Sequence, residues 1–214
     1  AAGLAAGWLL VARNVDWYYA LVPGAMASGR VPGASRAELA QTLAIESSSN
    51  GLSGFAAYLF YNNATVCILV FALGFAFGVP TVLMLIYNMA MLGAMAWLFN
   101  SVGLLPEFMA WLCVHGTTEF TAILLSGAAG VHVGRNMAFP GDSSILGATA
   151  QAGRRAALVM LGCVIMLVFA AVLEAFPRQL AGFEVRLIIG IFMGLVWLSV
   201  FVLVGRKSAD GDAA

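Results

Sequence analysis

The chain has 214 residues, 62% of them hydrophobic and only 9% charged, with a mean hydropathy of +0.96. That composition excludes a water-soluble fold and describes a protein that crosses the bilayer several times. Ten basic and ten acidic residues cancel, and the basic ones are scattered, so no nucleic-acid footprint is present. Cys67, Cys113 and Cys163 are far apart inside apolar runs. They read as small packing residues and not as a disulfide or zinc framework.

Spans of roughly 17–25 residues are needed to cross a bilayer. They place helices at Ala1–Ala12, Asn63–Phe77, Pro80–Phe99, Leu105–Ala129, Arg155–Phe176 and Leu187–Val204. The fold class is therefore all-α, a polytopic transmembrane helical bundle of about six spans. The first of these is a partial span (1–12). The chain opens without Met directly in apolar sequence, with neither a basic n-region nor a cleavage site before it, so an N-terminal region preceding it is expected. Residues 13–61 form an extracytoplasmic connection, 62–204 a five-helix core and 205–214 a polar tail.

Within the connection, Ser35 and Glu38 form an S-x-x-E capping box ahead of Leu39, Leu43 and Ile45, which predicts a short helix. Ser47, Ser48, Ser49, Asn50 and Gly51 then interrupt it before an apolar piece, Phe55 to Tyr61, with Tyr58 and Tyr61 suited to the headgroup layer. The expectation is a helical hairpin on the outer membrane surface, with a simple joining segment as the other reading. Further along, Gly78 and Pro80 predict a tight hairpin between two spans, and Asn100 to Pro106 a second short turn. Phe139, Pro140 and Gly141 break the chain after the fourth span, with Gly147 and Gly153 loosening a loop over 131–155. Discounting Arg30 and Arg36 in the long connection, the basic residues near short loops place both termini in the cytoplasm. No internal repeat is visible.

Gly74 with Gly78, Gly130 with Gly134, and Gly190 with Gly194 have the four-residue spacing that lets helix backbones approach closely in lipid. His115 and Glu119 are ionisable residues at membrane depth, where each costs at least ~2.5 kcal/mol on the most lenient scale. Their i, i+4 spacing puts them on one helix face. At about 1.5 Å per residue, His115 lies halfway down its span, Glu119 one turn deeper and Asn88 mid-way along the preceding helix. These three are the expected intramembrane polar cluster, with Asn62, Asn63 and Glu174 in a shallower layer.

Three readings of the deeper cluster stay open. A neutral Glu119 could lock helices together through His115, Asn88 or a backbone carbonyl. The same groups could line a path for protons, a cation or a small solute. His115 and Glu119 could also be metal ligands or an acid and base pair of an intramembrane hydrolase, although a catalytic zinc normally needs three protein ligands and this spacing supplies two. No H-E-x-x-H or G-x-S-x-G is present. His132 reads as a polar helix end, Arg154 and Arg155 as lipid-phosphate anchors, and Trp8, Trp17, Trp97 and Trp111 as an aromatic belt.

Asn62-Asn63, Asn88, Gly93, His115-Gly116-x-x-Glu119, Ser126-Gly127-Ala128-Ala129-Gly130 and Glu174-Ala175-Phe176-Pro177 together resemble the stage II sporulation protein M family, over Asn62 to Pro177. The resemblance implies a multi-spanning protein of a bacterial or archaeal cytoplasmic (inner) membrane. Its founding member belongs to an engulfment machine that recruits cell-wall-degrading partners, and other members work beside MoxR-type ATPases. No sporulation role follows for this chain. The expected function is an integral component of an envelope complex that recruits or anchors partner proteins, with the hairpin from Ser35 to Tyr61 facing the partner. The alternative is a transporter or channel for protons, a cation, or a small polar or lipid solute. Catalysis and cofactors are not expected. The expected partners are the lipid bilayer, proteins of a membrane complex and a second copy of the chain.

Overall fold

A computed structural model describes residues 2–43, 52–175 and 182–211. Those residues form nine helices and no strand: α1 (Ala2–Arg13), α2 (Asp16–Leu21), α3 (Gly24–Ala27), α4 (Arg36–Leu43), α5 (Leu52–Leu73), α6 (Val79–Ser101), α7 (Leu105–Ala138), α8 (Ile145–Ala175) and α9 (Phe183–Gly211). Four are long and apolar enough to cross a membrane, within α6, α7, α8 and α9; Ala2–Arg13 and Phe60–Leu73 are shorter apolar stretches. Without water in the hydrocarbon region every backbone amide must be satisfied internally, and a helix does this within its own span, so apolar helices of this length pack as a bundle.

The sharp turns lie where the sequence puts them. Phe77 and Gly78 both adopt left-handed backbone (φ 59° and 79°) and Pro80 sits in the first turn of α6, which reverses the chain after α5 within a few residues. Gly103 (φ 70°) does the same between α6 and α7. Element boundaries differ in three places. α5 begins at Leu52, so the apolar piece from Phe55 to Tyr61 continues a long helix and is not half of a surface hairpin. α7 runs to Ala138 and α8 starts at Ile145, which shrinks the expected 131–155 loop to residues 139–144 and places Gly147 and Gly153 in a helix. α9 continues to Gly211 through most of the expected polar tail. In each case an apolar window stops at the first polar residues, whereas a helix continues for as long as its amides find partners one turn back. The expected break at Ser47–Gly51 lies outside the described residues.

α7 is the central helix, packed by α5, α6, α8 and α9, while α1 rests on the outer side of α6. Close approach depends on glycine. A Cβ at Gly74 would overlap the backbone of Gly130, one at Gly134 would overlap Gly74, and one at Gly7 would overlap Ala90. Gly3 and Gly7 repeat the four-residue spacing on α1, and Gly93 receives the Leu4 carbonyl. Gly78 serves the turn, and Gly190 packs on Cys113.

Residues 14–43 fold as a cap over the end of α6 and the start of α7. Ser35 and Glu38 form the capping box: the Ser35 amide donates to Glu38 Oε2 at 2.7 Å and the Glu38 amide to Ser35 Oγ at 3.2 Å. Those two bonds hold the Glu38 carboxyl below its ordinary pKa. Tyr18, Val22, Leu39 and Leu43 bury themselves with Phe99 and Phe108, whose rings stack at 4.5 Å. Each such side chain removed from water is worth about 1.5–3 kcal/mol, which is how short helices unstable alone stay folded.

Candidate functional site

One face of α7 carries Glu107, Trp111, His115 and Glu119, each one turn below the last. At the top, Glu107 faces Arg36 of the cap at 3.8 Å, with both side chains substantially exposed. One turn down, the Arg30 guanidinium lies 4.9 Å over the Trp111 ring, and Arg30 also donates to the Thr42 carbonyl. The Trp111 and His115 rings then meet edge to face at 5.6 Å. His115 is 4% exposed and Glu119 8%.

Glu119 accepts a 2.6 Å hydrogen bond from Asn63 Nδ2 on α5. Here the expected layers change. Asn63, assigned to the shallow layer with Asn62 and Glu174, joins the deep one. Asn88, assigned to the deep layer, donates back to the Met84 carbonyl of its own helix at 2.9 Å. The cause is the earlier start of α5, which carries Asn63 about 16 Å into the helix, near the level that Glu119 reaches about 21 Å along α7. Asn62 is half-buried beside Asn63. The Glu174 side chain and Phe176-Pro177 lie outside what the structure describes.

Two further contacts had no clear signal in the sequence. Trp197 Nε1 on α9 donates to Thr118 Oγ1 at 3.0 Å. Deeper still, the fully buried Ser126 hydroxyl sits against the thiols of Cys67 on α5 and Cys163 on α8, and the Cys163 thiol donates to the Ala122 carbonyl at 3.4 Å. Asn63 and Cys67 are four residues apart, so a reading of α5 as one helix from Leu52 would have aligned both with α7. Nothing in the α9 sequence announces Thr118 as the partner of Trp197. Among the described residues, no group of three or more His, Cys, Asp and Glu side chains is placed to hold a metal ion.

This arrangement defines a class: a multi-pass helical membrane protein whose central helix carries two buried ionisable residues, His115 and Glu119, below a folded cap. The chain belongs to the stage II sporulation protein M family, whose family model matches residues 1–177, from α1 through the end of α8. No curated protein and no solved structure matches it.

Proposed function

We propose that the protein is a membrane anchor of an envelope complex in a bacterial or archaeal cytoplasmic membrane, with both termini cytoplasmic and the cap presented outside as the partner-binding surface. The observation that supports this reading is the cap itself, a folded unit fastened to the bundle and not a slack connection. It is held by Arg30 over Trp111, Arg36 to Glu107, Tyr87 Oη donating to the Leu21 carbonyl at 3.1 Å and Arg186 donating to the Leu43 carbonyl at 3.5 Å. It turns Trp17 and Tyr19 outward, 45% and 58% exposed. A groove of about 390 Å³ runs beside Tyr19, lined also by Pro32, Trp97 and Val102 among others. Exposed aromatic side chains next to a groove are the usual anchors of protein contacts.

A photo-crosslinking amino acid at position 19 tests this in cells. The expected result is one discrete envelope protein captured, lost when Arg30→Ala loosens the cap and kept in Glu119→Gln. Capture of lipid alone overturns the reading.

The second reading, transport of protons, a cation or a small polar or lipid solute, has His115 and Glu119 in its favour, since ionisable groups at this depth commonly line conduction paths. The Asn63 bond to Glu119 favours the anchor, because it gives the carboxyl a structural partner. Purified protein in vesicles loaded with a pH-sensitive dye separates the two. Proton flux abolished by Glu119→Gln in folded protein establishes transport, and flux equal to that of empty vesicles supports the anchor.

A further inference from the structure

Beyond Glu119 the bundle gathers sulfur. Cys67 on α5 and Cys163 on α8 are 2% and 1% exposed. The core cluster that holds them also contains Met166, one turn after Cys163, and Met84 of α6 packs against it. A third helix adds Ser126 of α7, fully buried, whose Oγ lies beside both thiols. Hydroxyls in apolar helices commonly bond back to the carbonyl one turn earlier, and Thr65, Thr121 and Ser199 do so at 2.7–2.8 Å. The Ser126 hydroxyl does not. Among the described residues it has no hydrogen-bond partner, neither a carbonyl of its own helix nor a thiol in bonding geometry.

A buried hydroxyl without a partner is costly, and an alanine would fill the same space without that cost. The position makes physical sense if a negative charge forms beside it, and in an apolar core a thiol ionises when a metal takes the place of its proton. Two facing sulfurs suit a soft monovalent cation. Zinc wants three or four protein ligands, and among the described residues no third His, Cys, Asp or Glu completes such a set. One hydrogen bond stands in the way, and it is a weak one: the Cys163 thiol donates to the Ala122 carbonyl at 3.4 Å. That carbonyl also faces the Ser126 amide four residues on within α7, so it keeps a donor when the thiol proton leaves.

We propose that Cys67 and Cys163 form a two-sulfur site for Cu(I), with the Ser126 hydroxyl donating to the metal-bound thiolates. On binding, both S–H bonds break, two Cu–S bonds form and both protons pass to water, while the metal stays monovalent and no electron moves. The bound unit carries one net negative charge, and the Ser126 O–H is the donor in reserve to meet it. Because the two sulfurs come from α5 and α8 and the hydroxyl from α7, an occupied site ties three helices of the bundle together. The site shares no residue with the cap or with the His115 and Glu119 pair, so it stands independently of both readings of the function.

The whole chain, purified in detergent and titrated anaerobically with Cu(I) against the chromophoric chelator bicinchoninate, tests this. One Cu(I) per chain should be retained with the release of protons, and X-ray absorption of the loaded protein should show sulfur neighbours only. That spectrum needs no variant, so it decides the matter even if a substitution unfolds the bundle. Cys67→Ala and Cys163→Ala should each abolish retention, and Cys113→Ala should leave it unchanged. Ser126→Ala, which keeps both sulfurs, should weaken binding about tenfold, with tryptophan fluorescence reporting that each variant is folded. The proposal is overturned if the chelator strips all the metal from the unsubstituted protein, if nitrogen or oxygen neighbours replace sulfur, or if retention survives the loss of both thiols. Equal affinity in Ser126→Ala overturns the part given to the hydroxyl.

Discussion

Removing the hydrogen bond between Asn63 and Glu119 should uncouple α5 from α7 by a measurable and bounded amount. At 2.6 Å the bond is short, and Glu119 is only 8% exposed, so water cannot replace the lost partner freely. Interhelical hydrogen bonds in membranes average about 0.6 kcal/mol and reach about 1.7 kcal/mol, because the unfolded chain in lipid also finds partners. The short distance and the burial place this one in the upper half of that range, about 1–1.7 kcal/mol. Glu119→Gln keeps an acceptor oxygen for the Asn63 amide, so it should cost less than Glu119→Leu, which leaves that amide facing hydrocarbon.

The assay is a double-mutant cycle with Asn63→Ala, Glu119→Leu and the pair, each unfolded in mixed micelles of increasing denaturing detergent and followed by tryptophan fluorescence. The coupling energy is the quantity of interest, since it cancels the effects of each substitution on its own surroundings. A coupling within about 0.3 kcal/mol of zero refutes the contact as a stabilising link. Equal losses from Glu119→Gln and Glu119→Leu would show that charge, and not the acceptor, is what the site needs.

Other outcomes follow from the same contacts. Gly130→Val should force α5 away from α7 at the Gly74 crossing and cost about 1–3 kcal/mol, read in the same detergent titration. Ser35→Ala removes half of the capping box and should cost about 1 kcal/mol, seen as faster amide exchange across α4 with the bundle unchanged. Burial pushes the Tyr18 hydroxyl up from 10.0 to about 12, although Arg30 opposes the shift, and that hydroxyl donates to the Arg30 carbonyl. A raised acid contributes stability in full below pH 10 and loses it as the pH climbs towards about 12. Alkaline titration should therefore release the cap in that window, reported by Trp111 emission, and Tyr18→Phe should abolish the transition. Glu38 has the opposite sign: its lowered pKa means that α4 holds above the ordinary value of 4.5 and weakens as the pH falls through and below it, a dependence that Glu38→Gln should remove.

What the sequence by itself determined was whatever depends on solvent and on short range. Composition and the length of its apolar runs required a helical membrane bundle, because hydrocarbon accepts only helices and closed barrels and a barrel strand needs only about 9–11 residues. The Ser35–Glu38 box and the Gly78–Pro80 turn were legible for the same reason, since each closes its bonds within a few residues of itself. His115 and Glu119 could be singled out because an ionisable residue in an apolar run is costly wherever the run packs. Which residue meets Glu119 was another matter. Asn62, Asn63 and Asn88 are alike in type, and their depths rest on where a helix starts, which a hydropathy window sets by its polar edge. Leu52 as the first residue of α5 carries Asn63 to Glu119 and leaves Asn88 bonding its own helix. The glycine pairs show the same division: the spacing of Gly74, Gly130 and Gly134 announced close packing, but their meeting at one crossing is a property of how α5 and α7 are placed against each other. Trp197 on Thr118 and Arg30 over Trp111 belong wholly to the tertiary structure, since 79 and 81 residues separate the partners and nothing local to either one favours the other.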